Sequence, residues 1–182
     1  MNHQTGNNTI KAALDRLVDV YHKKPSAALS TSSVVGKIEK GTLCRITDGT
    51  HDVVTDLPEP MGGEDAGPTP GFFARAGLAG CVAIGIKMQA ARAGYEFRSI
   101  NVQVETDFDD RAFYGLGDKP AAPLETRLTI KIDSDLDEDT LSVFVNDVLD
   151  RDTWFVALRD AQKVKASIVS TMSEKVGVSN GS

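Results

Sequence analysis

Ile10, Leu14, Leu17, Val18 and Tyr21 recur every three or four positions, a period that predicts an amphipathic helix over about residues 9–22. The polar "MNHQTGNNTI" before it reads as a frayed start, and "KKPSAALSTSS" after it as a linker. Three short β-prone runs follow, "SVVGKIE", "TLCRIT" and "HDVVTDL". They are separated by "KG" and "DG", the chemistry of tight hairpin turns, so an antiparallel three-stranded meander is expected. "PEPMGGEDAGPTPG" holds four prolines and four glycines in fourteen residues, too many for ladder or helix, and reads as a loop. The apolar stretch 71–92 is then a central helix, with Thr69 as N-cap, Pro70 as its first residue and Gly94 as its stop.

Strict alternation begins after that helix. Ile100, Val102, Val104, Thr106 and Phe108 alternate with Asn101, Gln103, Glu105 and Asp107. Beyond the loop "DDRAFYGLGDKPAAP", Leu124, Thr126, Leu128, Ile130 and Ile132 alternate with Glu125, Arg127, Thr129, Lys131 and Asp133. Both read as half-buried strands. The acids of "SDLDEDT" suit the positive end of a helix dipole, and Leu141, Phe144, Val145, Val148 and Leu149 give that helix its apolar face. "DTWFVALRDA" is a short turn or helix, and "KVKASIVS" alternates again as a closing strand. The order predicts an α+β class with antiparallel pairing: an N-terminal helix and linker over residues 1–30, then one domain over 31–175.

Composition narrows what such a domain does. A chain of 182 residues with 41% hydrophobic and 25% charged residues can bury about two-thirds of its unfolded surface in a single core. The net charge of −6 supplies no basic face, which argues against nucleic acid and anionic membranes as partners. The 71–95 segment is interrupted by Arg75 and ended by Lys87, short of the about 20 apolar residues of a membrane span, so it is expected to be a core helix. Cys44 and Cys81 are too far apart for a CxxC pair, and no basic-then-apolar leader opens the chain. A reducing cytoplasm is the expected compartment.

Candidate chemistry concentrates on the central helix. Ala74, Gly77, Cys81 and Gly85 lie three or four apart and form one stripe of small residues, a groove that another backbone or a ligand must fill. Cys81 is either a small inert filler there or a presented thiol. Gly77, Gly80 and Gly85 each cost up to about 1 kcal/mol in a helix interior, which favours a backbone kept accessible around the sulfur.

"GGEDAGPTPGFFARAGLAGC" followed by "AARAGYEFRSINVQVE" resembles the signature of the OsmC/Ohr family, and "DGTHDVVTDLPEPMGG" and "DDRAFYGLG" extend the likeness over roughly residues 34–170. The resemblance implies an OsmC-like fold: an intertwined homodimer in which antiparallel sheets wrap around central helices and two sites form at the subunit interface. It implies a peroxidase in which a thiolate attacks an organic hydroperoxide and a second cysteine resolves the sulfenic acid. Cys81 matches the reactive position. Asp152, or Thr153 with a one-residue shift, stands where the second cysteine belongs, and Gly71 where a glutamate ten residues before the reactive cysteine belongs. The family's hairpin arginine falls at about Lys40, with Arg45 the nearest guanidinium.

Two readings follow. One is a one-cysteine thiol peroxidase acting on small organic hydroperoxides, with Cys81 as nucleophile, Lys40 or Arg45 as activator and an external thiol as reductant. The other is a binding protein that holds an apolar or acyl ligand beside Cys81, walled by Gly77, Gly85, Trp154 and Phe155. A Cys44–Cys81 disulfide is a third, less favoured pairing, since disulfide geometry is restrictive. No metal or cofactor is expected: His3, His22 and His51 lack ligand spacing, "SDLDEDTL" lacks a calcium loop's glycine, and "MGG" and "GLG" are loop punctuation.

Overall fold

The computed structural model describes residues 3–170. Five helices and five strands run in the order α1 (His3–Lys23), β1 (Val35–Ile38), β2 (Cys44–Thr47), β3 (Asp52–Thr55), α2 (Pro70–Ala93), β4 (Phe97–Asp107), α3 (Asp110–Phe113), β5 (Glu125–Ser134), α4 (Glu138–Leu149) and α5 (Thr153–Arg159). β1, β2 and β3 form one antiparallel sheet in that order, and β4 and β5 form a second antiparallel pair. The expected class of mixed helices and antiparallel sheets is the one observed.

α2 is the axis of the molecule. Leu78, Val82, Ile86 and Ala90 recur at helical spacing and are buried, together with Phe97 and Val148. Ile100, Val102 and Val104 of β4 and Leu128, Ile130 and Ile132 of β5 pack onto that cluster, so the alternation seen in the sequence is the inward face of the pair. α4 closes it with Leu141, Phe144, Val145 and Leu149. Tyr95 and Phe97 meet Phe144 edge to face, at centroid separations of 5.3 and 5.7 Å. Gly94 ends α2 at φ 80°, a left-handed turn that a residue with a Cβ adopts only under strain. Pro70 opens it, but the Thr69 side chain makes no capping bond.

Three expectations need correction. α1 starts at His3, within the segment expected to fray, and its apolar face is only partly covered: Ile10, Leu14 and Val18 are half-buried while Leu17 and Tyr21 stay exposed. At 24 residues α2 is long and apolar enough to cross a membrane by length and composition. Its packing against α1, β4, α4 and α5 makes it a core helix of this fold, with Lys87 donating to the Phe97 carbonyl. Residues 163–170, expected as a closing strand, pair with no strand among the described residues, and Ile168 is 98% exposed. Cys44 and Cys81 are both free thiols, so the less favoured disulfide between them is not formed.

The loop between β3 and α2 is ordered by a buried carboxylate. Asp56, 2% exposed, accepts from Thr42 Oγ1 (2.6 Å) and from the backbone N–H groups of Leu57 (2.8 Å), Glu64 (3.1 Å) and Ala66 (3.2 Å). Thr55 adds a bond from Oγ1 to the Pro68 carbonyl at 2.7 Å. This knot leads the chain from the small sheet into α2. The small sheet itself shares no extensive contact with any helix of the protomer among the described residues, and Val35, Ile38 and Val53 remain exposed on it.

Candidate functional site

Cys81 sits midway along α2, half-buried, next to the buried Val82. Helical spacing places Gly85 one turn on and Met88 and Gln89 two turns on. With Ile84 from α2, Val148 from α4, Arg151 and Asp152 from the turn before α5 and Thr153 at its first position, these residues line a cavity of about 370 Å³. Its walls are largely apolar, and its charged groups among the described residues are Arg151 and Asp152.

Asp152 reaches this place as the N-cap of α5. Its Oδ1 accepts from the Phe155 N–H at 2.9 Å, the bond that an aspartate at a helix start is suited to make. Its Oδ2 is turned toward α2, where it lies 3.3 Å from the point at which a Cβ on Gly85 would stand. The side chain is 6% exposed. Arg151 is directed elsewhere: its Nη2 pairs with the Asp147 carboxylate and its Nε donates to the Asp147 carbonyl at 3.1 Å.

The sulfur is therefore surrounded by opposing influences. Burial pushes the Cys81 thiol above its ordinary pKa; the backbone N–H of Trp154 pulls it down; the Asp152 carboxylate, by hydrogen bonding and by charge, pushes it up; and the Thr153 N–H pulls it down again. The net direction is upward, toward the neutral thiol.

The residues singled out in the sequence disperse over the protomer. Gly85 is in the Cys81 cavity, filled by Asp152, whereas Gly77 faces open space, so the stripe of small residues is not one continuous groove. Trp154 is 58% exposed and meets the site through its backbone N–H instead of its ring. Phe155 lines a different cavity, with Leu78, Leu124, Leu128 and Leu158. Lys40 and Arg45 line a third, with Lys37, Thr42, Asp56 and Glu64, and do not meet Cys81 within the protomer. His51 pairs with Asp48 at the turn between β2 and β3, at 3.2 Å. Sequence reasoning noticed Asp152 only as the absence of a second sulfur and missed Arg151; Met88 and Gln89 follow from helical spacing alone.

Comparison with known proteins gives the same architecture. A family model for OsmC-like protein matches residues 62–167, more than half of the chain. The OsmC-like protein of Mycoplasma pneumoniae superposes with a TM-score of 0.62 at 15% identity, covering 72% of this chain and 89% of that one. The organic hydroperoxide resistance protein OsmC of Legionella pneumophila gives 0.53 at 19%, covering 72% and 91%. The organic hydroperoxide resistance protein OhrB of Bacillus subtilis gives 0.50 at 20%, covering 74% and 94%. At such identities the superpositions speak for the fold, and no curated protein matches the sequence. The matched region carries the glycine-rich loop, α2 with Cys81, both long strands and the Asp152 cap, and with it the chain belongs to the OsmC-like protein family.

Proposed function

We propose that this protein is a one-cysteine thiol peroxidase that reduces small organic hydroperoxides in the cytoplasm, with Cys81 as the reacting atom. The observation that carries the reading is the position of Cys81: midway along the central helix, half-buried, in an apolar-walled cavity of about 370 Å³, large enough for a small organic ligand. The names of the Legionella and Bacillus relatives support the same substrate class. The sulfur attacks the outer peroxide oxygen, the O–O bond breaks, and the alkoxide leaves as the alcohol with the thiol's proton. The sulfenic acid then reacts with two external thiols, giving a disulfide, water and the restored Cys81. Asp152 supplies no sulfur, so resolution falls to the external reductant.

The working form in this proposal is an intertwined homodimer. Val35 and Ile38 of the small sheet, Ile84 of α2 and residues 164–169 leave apolar side chains exposed on the protomer, and a second copy is the partner that suits them. Lys40 and Arg45 reach a Cys81 only across that dimer.

The test is consumption of an alkyl hydroperoxide with excess dithiol. Cys81→Ser abolishes it and Cys44→Ser leaves it largely intact; equal loss in both variants overturns the one-cysteine mechanism. Without added thiol, intact mass shows a sulfenic or sulfinic adduct, not the loss of two hydrogens that marks an internal disulfide.

One observation favours a second reading, a non-enzymatic protein that holds a small apolar or acyl ligand beside Cys81. Among the described residues lining the Cys81 cavity, the charge not engaged in an ion pair is the carboxylate of Asp152, which opposes a thiolate. No mass change with hydroperoxide, together with retention of an apolar ligand in native mass spectrometry, selects this alternative.

A further inference from the structure

We propose that α2 carries a second ligand site, on a face away from Cys81, which takes a medium-chain monocarboxylate: the apolar chain lies between α2, the β4–β5 pair and α5, and the carboxylate meets Arg75. The inference goes beyond the reading of Cys81 and does not depend on it.

Two adjoining cavities form the site. One, of about 440 Å³, is walled by Leu78, Leu124, Leu128, Phe155 and Leu158. The other, of about 80 Å³, shares Leu78, Pro123, Thr126 and Leu158 with it and continues to Arg75, Val104 and Phe108. The larger volume suits a small organic molecule, and apolar walls with few polar groups are the usual lining of such sites. Neither cavity shares a lining residue with the one around Cys81. Residue 75 stands six positions before residue 81, about 120° round the helix from it.

Charge decides the ligand class. In the larger cavity the charged walls are paired within the protomer: Arg159 with Asp150 at 2.6 Å and Asp160 at 3.0 Å, and Glu125 with Arg127 at 3.0 Å. Arg75 has no ion-pair partner among the described residues. It is half-buried and folded back along α2, with Nη1 3.4 Å from the point where a side chain on Gly71 would begin. The guanidinium therefore lies at the positive end of the helix dipole, where a cation is disfavoured, and no acid in the first turn of α2 offsets it. An anion on Arg75 relieves both conditions, and a carboxylate matches the paired N–H groups of a guanidinium. An apolar ligand with no acid strips water from Arg75 and returns no hydrogen bond. One acid on an apolar body is thus the chemistry that complements one unpaired cation at the end of an apolar cavity.

Isothermal titration of the full-length protein with decanoate at neutral pH is expected to show saturable binding, and decanol, the same chain without the charge, to bind at least about tenfold more weakly. Arg75→Met keeps an apolar stem and removes the charge; it lowers decanoate affinity about tenfold or more and leaves decanol within about threefold of the parent. Arg75→Lys retains the preference for decanoate. Equal binding of the two probes by the parent, or of decanoate by the parent and Arg75→Met, overturns the proposal, and the first comparison needs no variant to fold. Alkylating Cys81 with iodoacetamide in Cys44→Ser fills the other cavity and leaves decanoate affinity unchanged; lost affinity places the ligand beside Cys81 and overturns the proposal. No binding by the parent overturns it too, and a dimer loosened by Leu158→Asp then assigns the cavity to a second copy of the chain. Hydroperoxide turnover enters none of these readouts, so failure of the peroxidase reading leaves this site standing.

Discussion

Asp152 Oδ2 lies 3.3 Å from the point where a side chain on Gly85 would begin, so the glycine and the carboxylate occupy one slot between α2 and α5. The contact sets an order of tolerance at residue 85. Alanine gains up to about 1 kcal/mol of helix propensity and needs the carboxylate to shift by only a few tenths of an ångström, so its stability stays within about 1 kcal/mol of the parent. Leucine has to expel the carboxylate or distort α2 and costs roughly 1–3 kcal/mol in chemical denaturation. Equal stability of the two variants is inconsistent with a filled slot.

Asp56 makes the approach to α2 sensitive to acid. Its hydrogen bond from Thr42 first, and then those from the backbone of Ala66, Leu57 and Glu64, outweigh burial and lower its pKa from 3.8 to about 2. A carboxylate depressed on folding adds stability that is fully present above pH 3.8 and is lost as pH falls through about 2. The melting temperature is therefore expected to drop more steeply between pH 4 and 2 in the parent than in Asp56→Asn. Parallel curves show that the knot does not depend on the ionised form.

Gly63 belongs to the same loop and cannot accept a side chain. A Cβ there falls 1.8 Å from the Leu57 carbonyl oxygen, a backbone atom that cannot swing away. Gly63→Ala is expected to cost roughly 1–3 kcal/mol in urea denaturation, with faster proteolysis between residues 57 and 67. Unchanged stability and cleavage exclude this close approach.

The dimer proposal has its own test. Val164, Ile168 and Val169 are almost fully exposed along a segment that alternates like a strand. Sedimentation of the parent at micromolar concentration is expected to give a dimer, and Val164→Asp with Ile168→Asp to shift it toward monomer. A stable folded monomer of the parent removes the basis for sites shared between copies.

Much of the fold is written in local pattern. The alternation of Ile100, Val102 and Val104 and of Leu128, Ile130 and Ile132 marks the buried face of a strand pair, because side chains of a strand point to opposite sides whatever the rest of the chain does. Gly94 ends a helix through its own φ, and Leu141, Phe144 and Val148 mark a helical face by spacing alone. The order of "GGEDAGPTPG", Cys81 and the following strand was enough to point to the family.

Relations between distant residues were not legible in this way. Residues 163–170 have the alternation of a strand, but a strand exists only when another edge pairs with it, and the protomer offers none among the described residues. Lys40 and Arg45 are activators of Cys81 in the family-based reading, yet among the described residues their sheet shares no extensive contact with a helix of its own chain. Asp152 carried a visible capping signal, while its second oxygen acquired its position only when α5 folded back over Gly85. The sequence by itself determined the periodicities, turns and caps, which depend on neighbours a few residues away; only the tertiary structure decided which charge faces Cys81, because burial and electrostatics act through space between segments that no local pattern links.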